Sequence, residues 1–206
     1  MPDDAYNDPN PASQRVITLF HESIEAKMHT GESLAGPLAA AGELMTQTLL
    51  GGGKILCCGH GLASAQAQIL TACLINRFEQ DRPSLPCLTL GSDATSLSAI
   101  SSDQSPNDIY AKQLRTLGQE GDTLVVINGL GDHGSLLRCI STAHDTGIRV
   151  IALTGGGGGD AATLLDHRDI ELRAAVDSAT RVHELHLLSI FCLCDLIDQH
   201  LFGGMT

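Results

Sequence analysis

The stretch from Lys54 to Phe78 constrains the fold more than any other. A short apolar run, Lys54-Ile55-Leu56-Cys57-Cys58, breaks at Gly59-His60-Gly61 and resumes from Ala63 to Ile75 in good helix formers without Gly or Pro. The order is strand, tight glycine loop, helix. Such a loop brings backbone N–H groups to a helix N-terminus, where the partial positive charge of the helix dipole favours an anion such as a phosphate.

Four more strand-like runs follow: Pro86–Leu90, Thr123–Ile127, Arg149–Leu153 and Asp169–Leu172. The first three are apolar without alternation, the pattern of strands buried on both faces of a parallel sheet. Helix-like segments over about 95–100, 108–117, 135–146 and 161–165 separate them. This order predicts an α/β three-layer sandwich with a five-stranded parallel sheet and right-handed crossovers. Glycine-rich turns close three strands, at Gly59-His60-Gly61, Gly129-Leu130-Gly131 and Gly155 to Gly159. In an open parallel sheet these carboxyl ends form the ligand crevice.

Helices flank the sheet at both chain ends. Val16, Ile17, Phe20, Ile24 and Met28 recur at helical spacing and predict an amphipathic helix that stops before Gly31; a second starts at a Ser33 N-cap and carries Leu34, Leu38, Leu44, Met45 and Leu49 to Gly51. Their spare apolar faces either pack on another subunit or cap their own sheet. The last helix, from about Ser178 to His200, is apolar nearly all round between Leu185 and Ile197, as a helix buried by a second subunit would be. The expected organisation is a flexible start over 1–12, one domain over 13–202 and a flexible tail over 203–206.

Composition excludes several classes. A formal net charge of −12 argues against a direct grip on nucleic acid. Met1 to Pro11 lacks the basic start and apolar run of a signal peptide, and no apolar run approaches the roughly 20 residues that span a bilayer, so a cytoplasmic protein without membrane contact is expected. The seven cysteines lie mostly in apolar segments and read as small buried hydrophobes; Cys192 and Cys194 point to different helix faces and form no metal pair. His183-Glu184-Leu185-His186 is one residue short of the zinc-protease H-E-x-x-H, and with no clear third ligand no metal is expected there.

Five stretches carry a resemblance to the SIS-domain family, in the branch that holds phosphoheptose isomerase and the DnaA initiator-associating proteins (DiaA). They are Lys54 to Gly59, Ile75 to Glu79 followed by Arg82 to Pro86, Ile109 to Gln113, Val150 to Gly155, and Cys192 to Asp198 followed by Leu201-Phe202. The last two resemble the DiaA members rather than the isomerases. The similarity runs from about Arg15 to Phe202. It implies a homo-oligomer, a tetramer as in that family; no cofactor is expected.

The resemblance also implies where chemistry should sit. The isomerases carry a His and a Glu on the helix after the first loop and a Gln and a His on the last helix; here those positions are Ile69, Cys73, His183 and Phe191. Aldose–ketose isomerisation needs a base beside a carbonyl, so no catalytic set is expected. The hydroxyl-rich phosphate turn is replaced by Asn128-Gly129-Leu130-Gly131-Asp132-His133, and the serine of the first loop by Ala63. Losing about three charge-assisted hydrogen bonds of roughly 1.5–3 kcal/mol each removes on the order of micromolar affinity. Asp132 repels a phosphate unless it faces away. The relict pocket comprises His60, Gly61, Leu62, Ser64, Ser102, Asp103, Asn128, Gly129, Leu130, His133, Ser135 and His183, with His60, His133, Ser64 and Ser135 as partial substitutes. Leu201 and Phe202, two large apolar residues before the chain end, are the partner-binding candidates.

Two functions follow from the resemblance. One is a non-catalytic scaffold that binds the replication initiator DnaA and promotes its assembly at the origin. The other is a sugar-phosphate isomerase or phosphosugar sensor with altered site residues, in which His60, His133 or His183 acts as base or phosphate donor.

Overall fold

The computed structural model describes residues 10–203. The expected flexible ends, over 1–9 and 204–206, lie outside them. The elements run α1 (Pro11–Leu50), β1 (Ile55–Gly59), α2 (Leu62–Ile75), β2 (Cys87–Thr89), α3 (Ala94–Asp103), a single 3-10 turn (Pro106–Asp108), α4 (Ile109–Leu117), β3 (Thr123–Ile127), α5 (Gly134–Asp145), β4 (Arg149–Gly155), α6 (Gly159–Leu164), β5 (Ile170–Ala174) and α7 (Ala179–Phe202). The five strands pair in parallel in the order β2-β1-β3-β4-β5. The α/β three-layer sandwich with a five-stranded parallel sheet is therefore as the sequence predicts.

The lack of alternation in the strands has a simple cause. Ile55, Cys57, Val125, Ile127, Ile151 and Leu153 enter one core with residues of α1, α2 and α7. Their neighbours Leu56, Cys58, Leu124, Val126, Val150 and Ala152 enter a second core with α4, α5 and Ala161 of α6. Both faces of the sheet are covered, so both sets of alternate positions must be apolar. The chain departs in opposite directions from β1 and β3, which places a topological switch point at their carboxyl ends.

The N-terminal region corrects the sequence reading. Instead of two helices there is one of 40 residues, with Gly31, Gly36 and Pro37 inside it. The Asn10 side chain accepts from the Ala12 amide at 3.0 Å and Pro11 takes the first turn, so helix already replaces the expected flexible start at residues 11–12. Ser33 is no cap; its hydroxyl donates to the Thr30 carbonyl. Packing against α7 holds the helix through its weak points. Gly42 permits that approach, since a Cβ there would stand 3.0 Å from Cβ of Leu196. Ser23 and Arg181 both donate to Glu184, at 2.6 and 2.8 Å, tying the first half of α1 to α7. The apolar repeat that announced the helix lies on its outer side: Val16, Ile17, Phe20, Ile24 and Met28 are all exposed.

At the other end α7 continues through Phe202, past the expected stop at His200. By length and composition it is apolar enough to cross a bilayer, contrary to the expectation that no such run exists. Its face from Val182 to Ile197 is instead buried in the cores of the domain.

Candidate functional site: a crevice at the switch point and a cleft at the end of the last helix

The crevice opens where β1 and β3 end. Gly59 must be glycine, because a Cβ there would fall 2.4 Å from the Ala63 carbonyl oxygen. Gly61, at φ 59°, then caps α2 without any side-chain hydrogen bond. The Ser64 hydroxyl donates back to the Gly61 carbonyl at 2.7 Å, so it closes its own turn. Across the switch point α5 starts from His133, also without a side-chain cap bond. Two helix N-termini without side-chain caps thus lie at the carboxyl ends of the central strands.

Side chains complete the crevice. The rings of His60 and His133 stack with centroids 4.1 Å apart. Burial, with the neighbouring His60 adding to it, holds His133 below the usual histidine range, against the pull of Asp132. His183 comes from α7, with Nδ1 3.2 Å from Oε1 of Gln66 and its ring 3.5 Å from where a Cβ of Gly129 would stand. Asn128 is buried at 2% exposure, and its Oδ1 has no partner among the described residues. Ser135 is buried in the first turn of α5, whereas Leu62 and Leu130 are exposed. Asp132 turns away, its Oδ1 accepting from the Asp160 amide at 2.8 Å at the start of α6. The expected repulsion of an anion is thereby reduced. Ser102 and Asp103 lie exposed at the end of α3, and among the described residues no hydrogen bond ties them to the crevice.

His183 and His186 do not act as a pair. The Nε2 of His186 donates to the Thr154 carbonyl at 3.0 Å, and the ring is 1% exposed, its Nδ1 without a partner among the described residues. Burial drives His186 down to about 4, the Thr154 carbonyl partly opposing it. The motif faces two ways because residues three apart on a core helix straddle its buried edge. Sequence reasoning also missed a cluster at the opposite edge of the sheet, where His144, Asp166 and Asp169 bring ligand atoms within 4.8 Å of one another. The Asp169 carboxylate accepts from His144, Val150 N–H and Asp166 N–H, which makes it a tie between α5, β4 and the turn before β5.

The second concave region lies between the α2–β2 loop and the last turns of α7. Arg82 is its hinge: Nε donates to Asp198 at 2.6 Å, Nη1 to the carbonyls of Leu74 and Pro83, and Nη2 to that of Cys73. The end of α2 is thereby clamped to α7. The partner-binding candidates separate here, since Leu201 is half-buried against the core and Phe202 stays 42% exposed on the cleft.

A family profile described as SIS domain matches residues 19–155. The chain belongs to the SIS-domain family. Its SIS relatives include a phosphoheptose isomerase of Alkalilimnicola ehrlichii, 46% identical over 190 residues that make up 92% of this chain and 97% of that one. They also include the DnaA initiator-associating protein DiaA of Photorhabdus laumondii subsp. laumondii, 44% identical over 188 residues, 91% of this chain and 96% of that one. Among solved SIS structures, a phosphoheptose isomerase from Francisella tularensis superposes with a TM-score of 0.88 at 39% identity, covering 92% of this chain and all of the other.

At the positions where the resemblance expects acid–base residues, this SIS domain is apolar. Cys73 packs on the core and burial raises its thiol, so it is protonated near neutrality. Phe191 stacks on Phe78 with centroids 5.8 Å apart. Ile69 is half-buried on the same helix as Cys73.

Proposed function

We propose that this SIS-domain protein is a non-catalytic, cytoplasmic homo-oligomer, a tetramer, that binds the replication initiator DnaA and promotes its assembly at the origin. The observation that carries this reading is the replacement of the expected acid–base positions by Ile69, Cys73 and Phe191, the last in an aromatic stack with Phe78. A base is needed to move the proton, and none of the three supplies one. The DiaA relatives, at 44% and 42% identity over most of the chain, support the partner. The open apolar stripe of α1 supports self-association, since contiguous exposed apolar surface marks an interface. Several identical docking sites on one oligomer raise the local concentration of initiator molecules without chemistry.

The test is retention of purified DnaA from the same organism on the immobilised protein. Wild type retains it, and Phe202→Ala, at unchanged oligomeric mass, does not. Loss of retention by the wild type ends the scaffold reading.

A second reading, phosphosugar binding or isomerisation, is favoured by the two uncapped helix N-termini and the unpartnered Oδ1 of Asn128, and by the relatives named phosphoheptose isomerase. Thermal shift with sedoheptulose 7-phosphate separates the two, because a ligand at about a hundred times its Kd adds about 2.7 kcal/mol of stability. No shift at millimolar ligand counts against binding.

A further inference from the structure

Building on the partner-binding reading, we infer that the initiator is taken by the whole cleft around Phe202, and that the cleft selects a basic segment carrying one large apolar side chain. The cleft measures about 160 Å³ and lies between Phe78 on the α2–β2 loop and Phe202 on α7. A cavity of about 150 Å³ takes a benzene molecule, so there is room for one leucine-sized or aromatic anchor. Aromatic side chains, phenylalanine among them, are enriched where proteins bind partners.

Charge specifies what flanks that anchor. Four carboxylates line the cleft, those of Glu79, Asp81, Asp195 and Asp198, against one cation, Arg82. Arg82 offers nothing to a ligand: its side chain is 3% exposed and is spent on Asp198 and three backbone carbonyls. Asp81 is 96% exposed and meets Arg77 only at 3.5 Å, a contact of little strength in water. Asp195 accepts from the neutral Gln199, and Glu79 has no ion pair among the described residues. The cleft therefore keeps a surplus of negative charge around an apolar floor, and the Arg82 clamp sets its walls before any ligand arrives. Complementary potential then calls for lysine or arginine on either side of the anchor.

A second copy of this chain is a poor occupant. It carries 24 acidic residues against 12 Lys and Arg, and its own exposed apolar stripe on α1 is flanked by Glu22, Glu25 and Glu32 against Arg15 and Lys27. Such a surface would set acid against acid.

The experiment is a titration of DnaA onto the full-length protein, wild type against Glu79→Lys/Asp195→Lys, with Asp145→Lys on α5 as a charge control away from the cleft. Both cleft acids are exposed, so the double variant folds. The inference expects affinity to fall at least tenfold in the double variant and to hold in the control. It also expects wild-type affinity to weaken as salt rises from about 50 to about 300 mM NaCl, and the double variant to lose that dependence. If the wild type binds but the double variant binds equally well, or if binding ignores salt, the basic-segment inference is overturned while the scaffold reading stands. If the double variant changes oligomeric mass instead, a second copy occupies the cleft and the inference is equally overturned. Absence of wild-type binding removes the scaffold reading itself.

Discussion

The crevice at the switch point and the cleft at the end of α7 differ in how far the protein satisfies its buried polar groups. In the cleft, Arg82 and Asp198 satisfy each other and the last carbonyls of α2. In the crevice, two helix N-termini lack side-chain caps and the buried Oδ1 of Asn128 has no partner among the described residues. A region that satisfies its buried polar groups and leaves charges at its surface offers shape and charge to a partner. A region that leaves them open offers hydrogen bonds to a small ligand.

The largest expected effect tests the saturated side. Arg82→Ala leaves Asp198 and two helix-end carbonyls half-buried without their donor, and should cost about 3–5 kcal/mol, read from urea unfolding. A loss under about 1 kcal/mol would mean that the clamp does not hold the cleft.

Next comes acid sensitivity. The folded protein keeps His186 neutral to about pH 4, whereas the unfolded chain takes up that proton below about 6.5. Stability contributed by this ring is complete above pH 6.5 and is lost as pH falls toward 4, by about 3 kcal/mol in total. His186→Gln should flatten that part of a Tm-against-pH curve. An unchanged curve would assign the loss to other groups.

A smaller change sharpens the contrast in function. Phe202→Ala should lower initiator affinity by about tenfold or more while shifting stability by less than about 1 kcal/mol, because the ring is 42% exposed. The smallest effect belongs to the crevice: His60→Ala removes one exposed ring from a stack and should change stability by about 0.5 kcal/mol. It should leave initiator retention untouched. A His60→Ala protein that loses the initiator would move the docking surface to the crevice.

The layers were legible because burial on both faces imposes a composition that no alternating strand has, and β3 runs from Thr123 to Ile127 as read. The long α1 was not. Gly31 and Pro37 are local stop signals, overridden by packing along α7 that no local rule contains. The stripe from Val16 to Met28 was real as a helix signal but marked the uncovered side. At the crevice, sequence placed His60 and His133 at neighbouring strand ends, and their stacking follows. That Asp132 turns to α6 rests on a contact 28 residues away, which sequence cannot show. The split between Leu201 and Phe202 likewise depends on where the last turn of α7 meets the core.

At 1.5 Å per residue, the 40 residues of α1 make a rod about 60 Å long. Subunits paired along its outer stripe would be spaced by a stiff ruler and not by a tether. On the scaffold reading proposed above, the distance and angle between two held initiators would then be fixed in advance, so the assembly would favour one spacing of binding sites along the DNA over others without touching the DNA itself.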